Sequence, residues 1–133
     1  MILAVGRSVQ ESLSAYKTLQ KEGFNATVVN CRTIKPLDAD LLATLARDIP
    51  RIVTVEENVR QGGFGSAVWE CFNDQGLNGL CIERVGIQDT FVEHGSPRIL
   101  RAKYGVDAAA IVKAAKRLCD TTNSKMHSVC VAS

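Results

Sequence analysis

The stretch Val53-Thr-Val-Glu-Glu-Asn-Val-Arg-Gln-Gly-Gly-Phe-Gly-Ser-Ala-Val68 decides how this chain is read, because it passes from a β-branched run through an acidic pair into a glycine-rich turn. Ile52, Val53 and Val55 are residues that favour a buried strand. Glu56 and Glu57 are expected to end it. Gly62, Gly63 and Gly65 let the backbone approach a neighbour closely, and Ser66 is the expected start of a helix. In an α/β sheet the carboxyl end of a strand is where sites and interfaces gather.

A glycine turn opening a helix can cradle a phosphate, since free N–H groups and the helix dipole favour an anion there. The spacing here fits neither the dinucleotide fingerprint nor the P-loop, and no Lys followed by Ser or Thr closes the turn. The pattern therefore favours tight helix packing or a subunit contact over nucleotide binding. Adjacent residues of an extended strand point to opposite sides, so Glu56 and Glu57 cannot serve as a paired acid and base on one substrate. At most one of them faces a cleft.

Outward from this stretch, strands and helices alternate. Ile2 to Val5 reads as a strand ended by Gly6, and Ser8 as the cap of a helix with Val9, Leu13, Tyr16 and Leu19 on one face. Gly23 stops that helix before an Ala26 to Val29 strand. Pro36 enforces extended backbone at Lys35, and Asp38 caps a helix with Leu41, Leu42 and Leu45 inward, closed by Pro50. After the glycine turn, Val68, Trp69 and Phe72 are expected to face the core. Leu80 to Val85 is the next strand, Gly86 to Gly95 a loop, Ser96-Pro97 the start of a short helix, and Asp107 the cap of a last helix with Ile111, Ala114, Ala115 and Leu118 on one face.

This order predicts a three-layer α/β/α sandwich with a mostly parallel sheet of about five strands, one of them antiparallel at an edge. Residues 1–119 form the expected domain. Residues 120–133, rich in Ser and Thr and without a period, are the expected flexible tail. His127 and Cys130 lie there, too few ligands to close a metal site.

Composition narrows the function classes. The chain has 133 residues, enough for one domain; 23% are charged and 46% hydrophobic, and no apolar run reaches membrane-spanning length, so a cytoplasmic protein without a membrane partner is expected. The 16 basic residues are interspersed with 14 acidic ones, leaving no basic stripe for nucleic acid. Arg32, Lys35, Arg84, Arg98 and Arg101 read as solvated surface charge. Cys31, Cys71, Cys81, Cys119 and Cys130 include no CxxC pair and read as reduced, mostly buried or tail thiols. Met1 is followed at once by core-strand residues, which suits a domain cut from a longer chain; surface exposed by such a cut is expected to self-associate.

Four segments together carry a family resemblance: Val53 to Glu57, Gly62 to Val68, Arg32-Thr-Ile-Lys-Pro-Leu-Asp38, and Asp89-Thr-Phe-Val-Glu-His-Gly-Ser96. They resemble the C-terminal domain of the 1-deoxy-D-xylulose-5-phosphate synthases, within the transketolase-like family, over about residues 1 to 119. The resemblance implies a thiamine-diphosphate enzyme that decarboxylates pyruvate and joins the two-carbon unit to glyceraldehyde 3-phosphate, in isoprenoid and thiamine biosynthesis. It also implies that upstream domains of the same enzyme hold thiamine diphosphate and magnesium. This chain has no Gly-Asp-Gly motif and two histidines, so no catalytic, cofactor-binding or metal-binding residue is assigned to it.

Carbanion chemistry needs an electron sink, a magnesium clamp and placed acid or base groups, more than one small domain with one candidate histidine supplies. The expected role is therefore structural, closing the subunit and extending a homodimer interface. Glu56, Glu57, Gly62, Gly63, Gly65, Ser66 and His94 are the candidate interdomain or intersubunit contacts. His94, beside Glu93, is also the one residue with a catalytic alternative. A stand-alone anion or nucleotide module and a protein-interaction module remain the competing readings.

Overall fold

The computed structural model describes residues 1–124. Four strands, β1 (Ile2–Ala4), β2 (Val28–Asn30), β3 (Arg51–Val59) and β4 (Cys81–Ile87), form a parallel sheet in the order β2-β1-β3-β4. Ile2 pairs with Val28 on one side and Val53 on the other, and Val53 pairs with Glu83. Five helices connect and cover them: α1 (Ser8–Lys21), α2 (Ala39–Asp48), α3 (Phe64–Asp74), α4 (Pro97–Tyr104) and α5 (Ala108–Ser124). The three-layer parallel architecture expected from the alternation is present.

The sheet has four strands rather than five among the described residues, and none of them is antiparallel. The remaining connectors of strand length, 31–38 and 88–96, are irregular, because Pro36 and the Asp89, Gly95 and Ser96 cluster interrupt any apolar alternation. α5 extends to Ser124, past the expected domain end at 119. The rest of the expected tail, with His127 and Cys130, lies outside the described residues.

Period-two alternation distributes the strand side chains between two cores. Ile2, Ala4, Val53 and Val55 face α1 and α5, meeting Ala15, Leu19, Ile111 and Ala114. Leu3 and Ile52 face α2 and α3, meeting Leu42, Ala46, Phe64, Val68 and Phe72. The chain leaves β1 toward β2, then crosses back to β3 on the other flank of β1. The strand order therefore reverses between β1 and β3, and β3 delivers Glu56 and Glu57 to that junction.

Several expected helix faces are corrected. In α1 the buried face is Ser8, Ser12, Ala15 and Leu19, while Leu13 is exposed. The small side chains admit close packing, and their hydroxyls are satisfied locally: Ser8 Oγ donates to the carbonyls of Val5 and Val55, and Ser12 Oγ to that of Ser8. Ser8 is thus an anchor to the sheet rather than the cap, which falls at Arg7. In α2, Asp38 Oδ1 accepts from the Leu41 N–H as expected, yet Leu41 faces out and Leu42, Ala43 and Ala46 face in. Asp107 Oδ1 accepts from the Ala110 N–H and caps α5, whose Ile111, Ala114 and Leu118 are buried.

Candidate functional site

β3 does not stop at the acidic pair; it continues through Val59. Glu56 keeps the alternation of Ile52 and Thr54 and points to the α3 side, where it is 1% exposed. A bare buried carboxylate is costly, so its partners decide the local structure. Glu56 Oε2 accepts the Phe64 N–H at 2.7 Å and Oε1 the Gly65 N–H at 2.9 Å. These are free donors of the first turn of α3, and the helix dipole adds to their attraction for a negative group.

The glycine turn follows from that clamp. α3 starts at Phe64 with Gly63 as N-cap, two residues before the expected Ser66. A Cβ on Gly63 would lie 2.2 Å from Glu56 Oε2 and 2.4 Å from the Val59 carbonyl oxygen. One on Gly65 would lie 2.6 Å from Thr54 Oγ1, and one on Gly86 would lie 3.0 Å from Glu56 Cγ and 2.8 Å from Arg60 Cγ. Gly62 has φ +69°, the left-handed conformation that lets the chain reverse. Ser66 Oγ accepts the Gly62 N–H and donates to the Arg60 carbonyl, and Arg84 Nη1 donates to both that carbonyl and Ser66 Oγ.

Glu57 emerges on the opposite face, as adjacent strand residues must. Its Oε1 accepts from Arg101 Nε of α4 at 2.5 Å, and Arg101 also lies 3.7 Å from Glu11 of α1. Glu11 in turn accepts the Ala108 N–H at the start of α5. Arg101 is accordingly a strut between β3, α1 and α4, not the solvated charge its sequence context suggested, and its pKa is raised by the hydrogen bond to Glu57.

His94 stands apart. It is exposed in the loop before α4 and makes no hydrogen bond or ion pair among the described residues. Its neighbour Glu93 pairs instead with Lys103 Nζ and Tyr104 OH, which hold the carboxylate down to about 2. The Glu93–His94 couple that motivated a catalytic alternative is therefore not formed. Of the seven expected contact residues, Glu56, Gly62, Gly63, Gly65 and Ser66 converge, while Glu57 and His94 lie elsewhere.

The structure also shows what the sequence hid. Gly86 belongs to the clamp, and a glycine inside a strand is the signal that could have found it. Arg101 meets Glu57 across 44 residues, and no local pattern announces such a pair. Trp69, expected in the core, is 53% exposed although Val68 and Phe72 are buried. The thiols are less buried than expected: Cys31 is buried, with its pKa pushed up to about 11 by burial and by Asp38, whereas Cys71 and Cys119 are half-buried and Cys81 exposed, all of them free.

The arrangement does not fit a diphosphate with its magnesium. The α3 N–H groups that a phosphate would take are held by Glu56. No group of three or more His, Cys, Asp or Glu side chains stands together as metal ligands among the described residues. No helix of the described residues is long and apolar enough to cross a membrane.

The parallel sheet with its covering helices is a fold with known relatives. Residues 1–111 match the family described as transketolase, C-terminal domain, and the chain belongs to that family. Among curated proteins it is 48% identical over 113 residues to 1-deoxy-D-xylulose-5-phosphate synthase 1 of Geobacter sulfurreducens, covering 85% of this chain and 18% of that protein. It is 41% identical over 130 residues to 1-deoxy-D-xylulose-5-phosphate synthase of Syntrophus aciditrophicus, covering 98% of this chain and 20% of that protein. The chain thus spans about a fifth of the length of these relatives. A solved structure of a split gene transketolase, an inactive β4 tetramer, superposes with TM-score 0.82 at 36% identity, over 90% of this chain and 38% of that one.

Proposed function

We propose that this chain acts as the C-terminal structural and dimerisation domain of a thiamine-diphosphate-dependent 1-deoxy-D-xylulose-5-phosphate synthase, and has no turnover alone. The complete enzyme would condense pyruvate with glyceraldehyde 3-phosphate and release carbon dioxide, with the cofactor and magnesium held by upstream domains of the same enzyme. The observation that carries this reading is the Glu56 clamp. The one motif resembling a phosphate cradle is filled by the protein's own carboxylate, so the motif serves packing rather than ligand binding. Its rim, with Ser66 and Arg84, lies toward the carboxyl ends of the strands, where α/β sheets make their contacts.

The synthase relatives and the solved inactive β4 tetramer support this assignment. In the latter a chain longer than this one, carrying a similar domain, assembles with copies of itself. The test is to assay the chain alone, and then mixed with separately produced upstream domains, with pyruvate, glyceraldehyde 3-phosphate, thiamine diphosphate and magnesium. The expected result is no product from the chain alone, and co-elution with restored turnover in the mixture. Full turnover by the upstream domains without this chain would overturn the reading.

A further inference from the structure

Trp69 is the single tryptophan of the chain, and its exposure on α3 is unusual for so large an apolar group. It borders a cleft of about 420 Å³ between α3 and β4, lined also by Ser66, Glu70, Ile82 and Arg84. A second depression sharing Trp69 and Ile82 continues it toward Leu80. β4 is an edge strand, so no further strand flanks this groove among the described residues.

Among the described residues the charges of the cleft, Glu70 and Arg84, have no ion-pair partner. Arg84 donates to Ser66 Oγ and the Arg60 carbonyl, neutral acceptors that leave its positive charge uncompensated. One apolar anchor flanked by one charge of each sign is a patch complementary to itself under a two-fold axis.

We propose that a second copy of this chain docks on this face, each Trp69 entering the other copy's cleft and each Arg84 meeting the other copy's Glu70. The inference rests on the reading of the chain as a dimerisation domain and names the face it uses. Direct joining of the two β4 edges is the less favourable arrangement. Full antiparallel overlap of Cys81–Ile87 centres on Arg84 and sets two guanidinium groups side by side.

Sedimentation velocity on the 133-residue chain, with tryptophan emission followed over the same concentrations, tests this. The expected result is concentration-dependent dimerisation with a blue shift of Trp69. Glu70→Arg and Arg84→Glu each place like charges in both contacts and weaken association by about tenfold or more. Mixing the two variants restores opposite charges in both contacts, and with them the dimer. Because Arg84 also holds Ser66, circular dichroism checks that variant; Trp69→Ser and Glu70→Arg alter exposed side chains and carry the test if Arg84→Glu misfolds. Dimers indifferent to these changes would remove this face while leaving the dimerisation role. A chain that stays monomeric with constant emission, as it would if the groove takes a different polypeptide, would remove both.

Discussion

Glu56 and Glu57 are the same residue type, adjacent on one strand, and the fold uses them in opposite ways. Glu56 is buried, takes part in no ion pair among the described residues, and binds two main-chain N–H groups of α3. Glu57, half-exposed, forms an ion pair with Arg101. The first is irreplaceable because a charged acceptor satisfies donors that water cannot reach. The second joins groups that solvent would otherwise serve, and such pairs contribute little. What a carboxylate does here is set by the face of the sheet it falls on.

The largest effect expected from breaking this contrast belongs to Glu56→Ala, which strands two donors of α3 and leaves a void. It should cost about 3 kcal/mol in denaturant unfolding, with part of the loss recovered by added formate or acetate, which can occupy the vacated helix terminus. A loss as small as that of a surface substitution would mean the clamp is not structural. Gly63→Ala drives a methyl into Glu56 Oε2 and the Val59 carbonyl, and should cost about 2 kcal/mol by the same measurement.

On the other face, Glu57→Ala should cost less than about 1 kcal/mol, and the difference from the parent should shrink in about 1 M salt. An effect equal to that of Glu56→Ala would erase the distinction between the two faces. The smallest effect concerns the exposed Glu93, whose carboxyl the Lys103 and Tyr104 hydrogen bonds lower from 4.5 to about 2. Because the folded value is the lower one, its contribution is full above 4.5 and fades as pH falls through about 2. Carboxyl NMR should place its midpoint near 2, and a midpoint at the ordinary Glu value would show the pairing is absent in solution.

Much of the fold was legible because it depends on patterns of short period. The β-branched run at Ile52 to Val55 and the caps at Asp38 and Asp107 are visible in a few neighbouring residues, and all hold. The errors share a cause. Ser8 and Ser12 look polar until their hydroxyls are seen bonded to backbone carbonyls, and Leu13 looks apolar until Ala15 proves the better fit against the sheet. Trp69 falls on the helical stripe of Val68 and Phe72, but β4 ends the sheet beside it, so no layer exists for the indole to enter. The site was half legible. The glycine turn announced a close approach, while nothing local said that Glu56 was what approached.

Local sequence alone determined the alternation of strands and helices, the parallel sheet it entails, and the opposite pointing of Glu56 and Glu57, because strand and helix periods follow from backbone geometry. The tertiary structure decided where each carboxylate ended: one on the α3 terminus eight residues onward, the other on Arg101 across 44. Those outcomes depend on which elements pack side by side, and burial, which turns the same charge into a clamp or a surface pair, is a property of that packing.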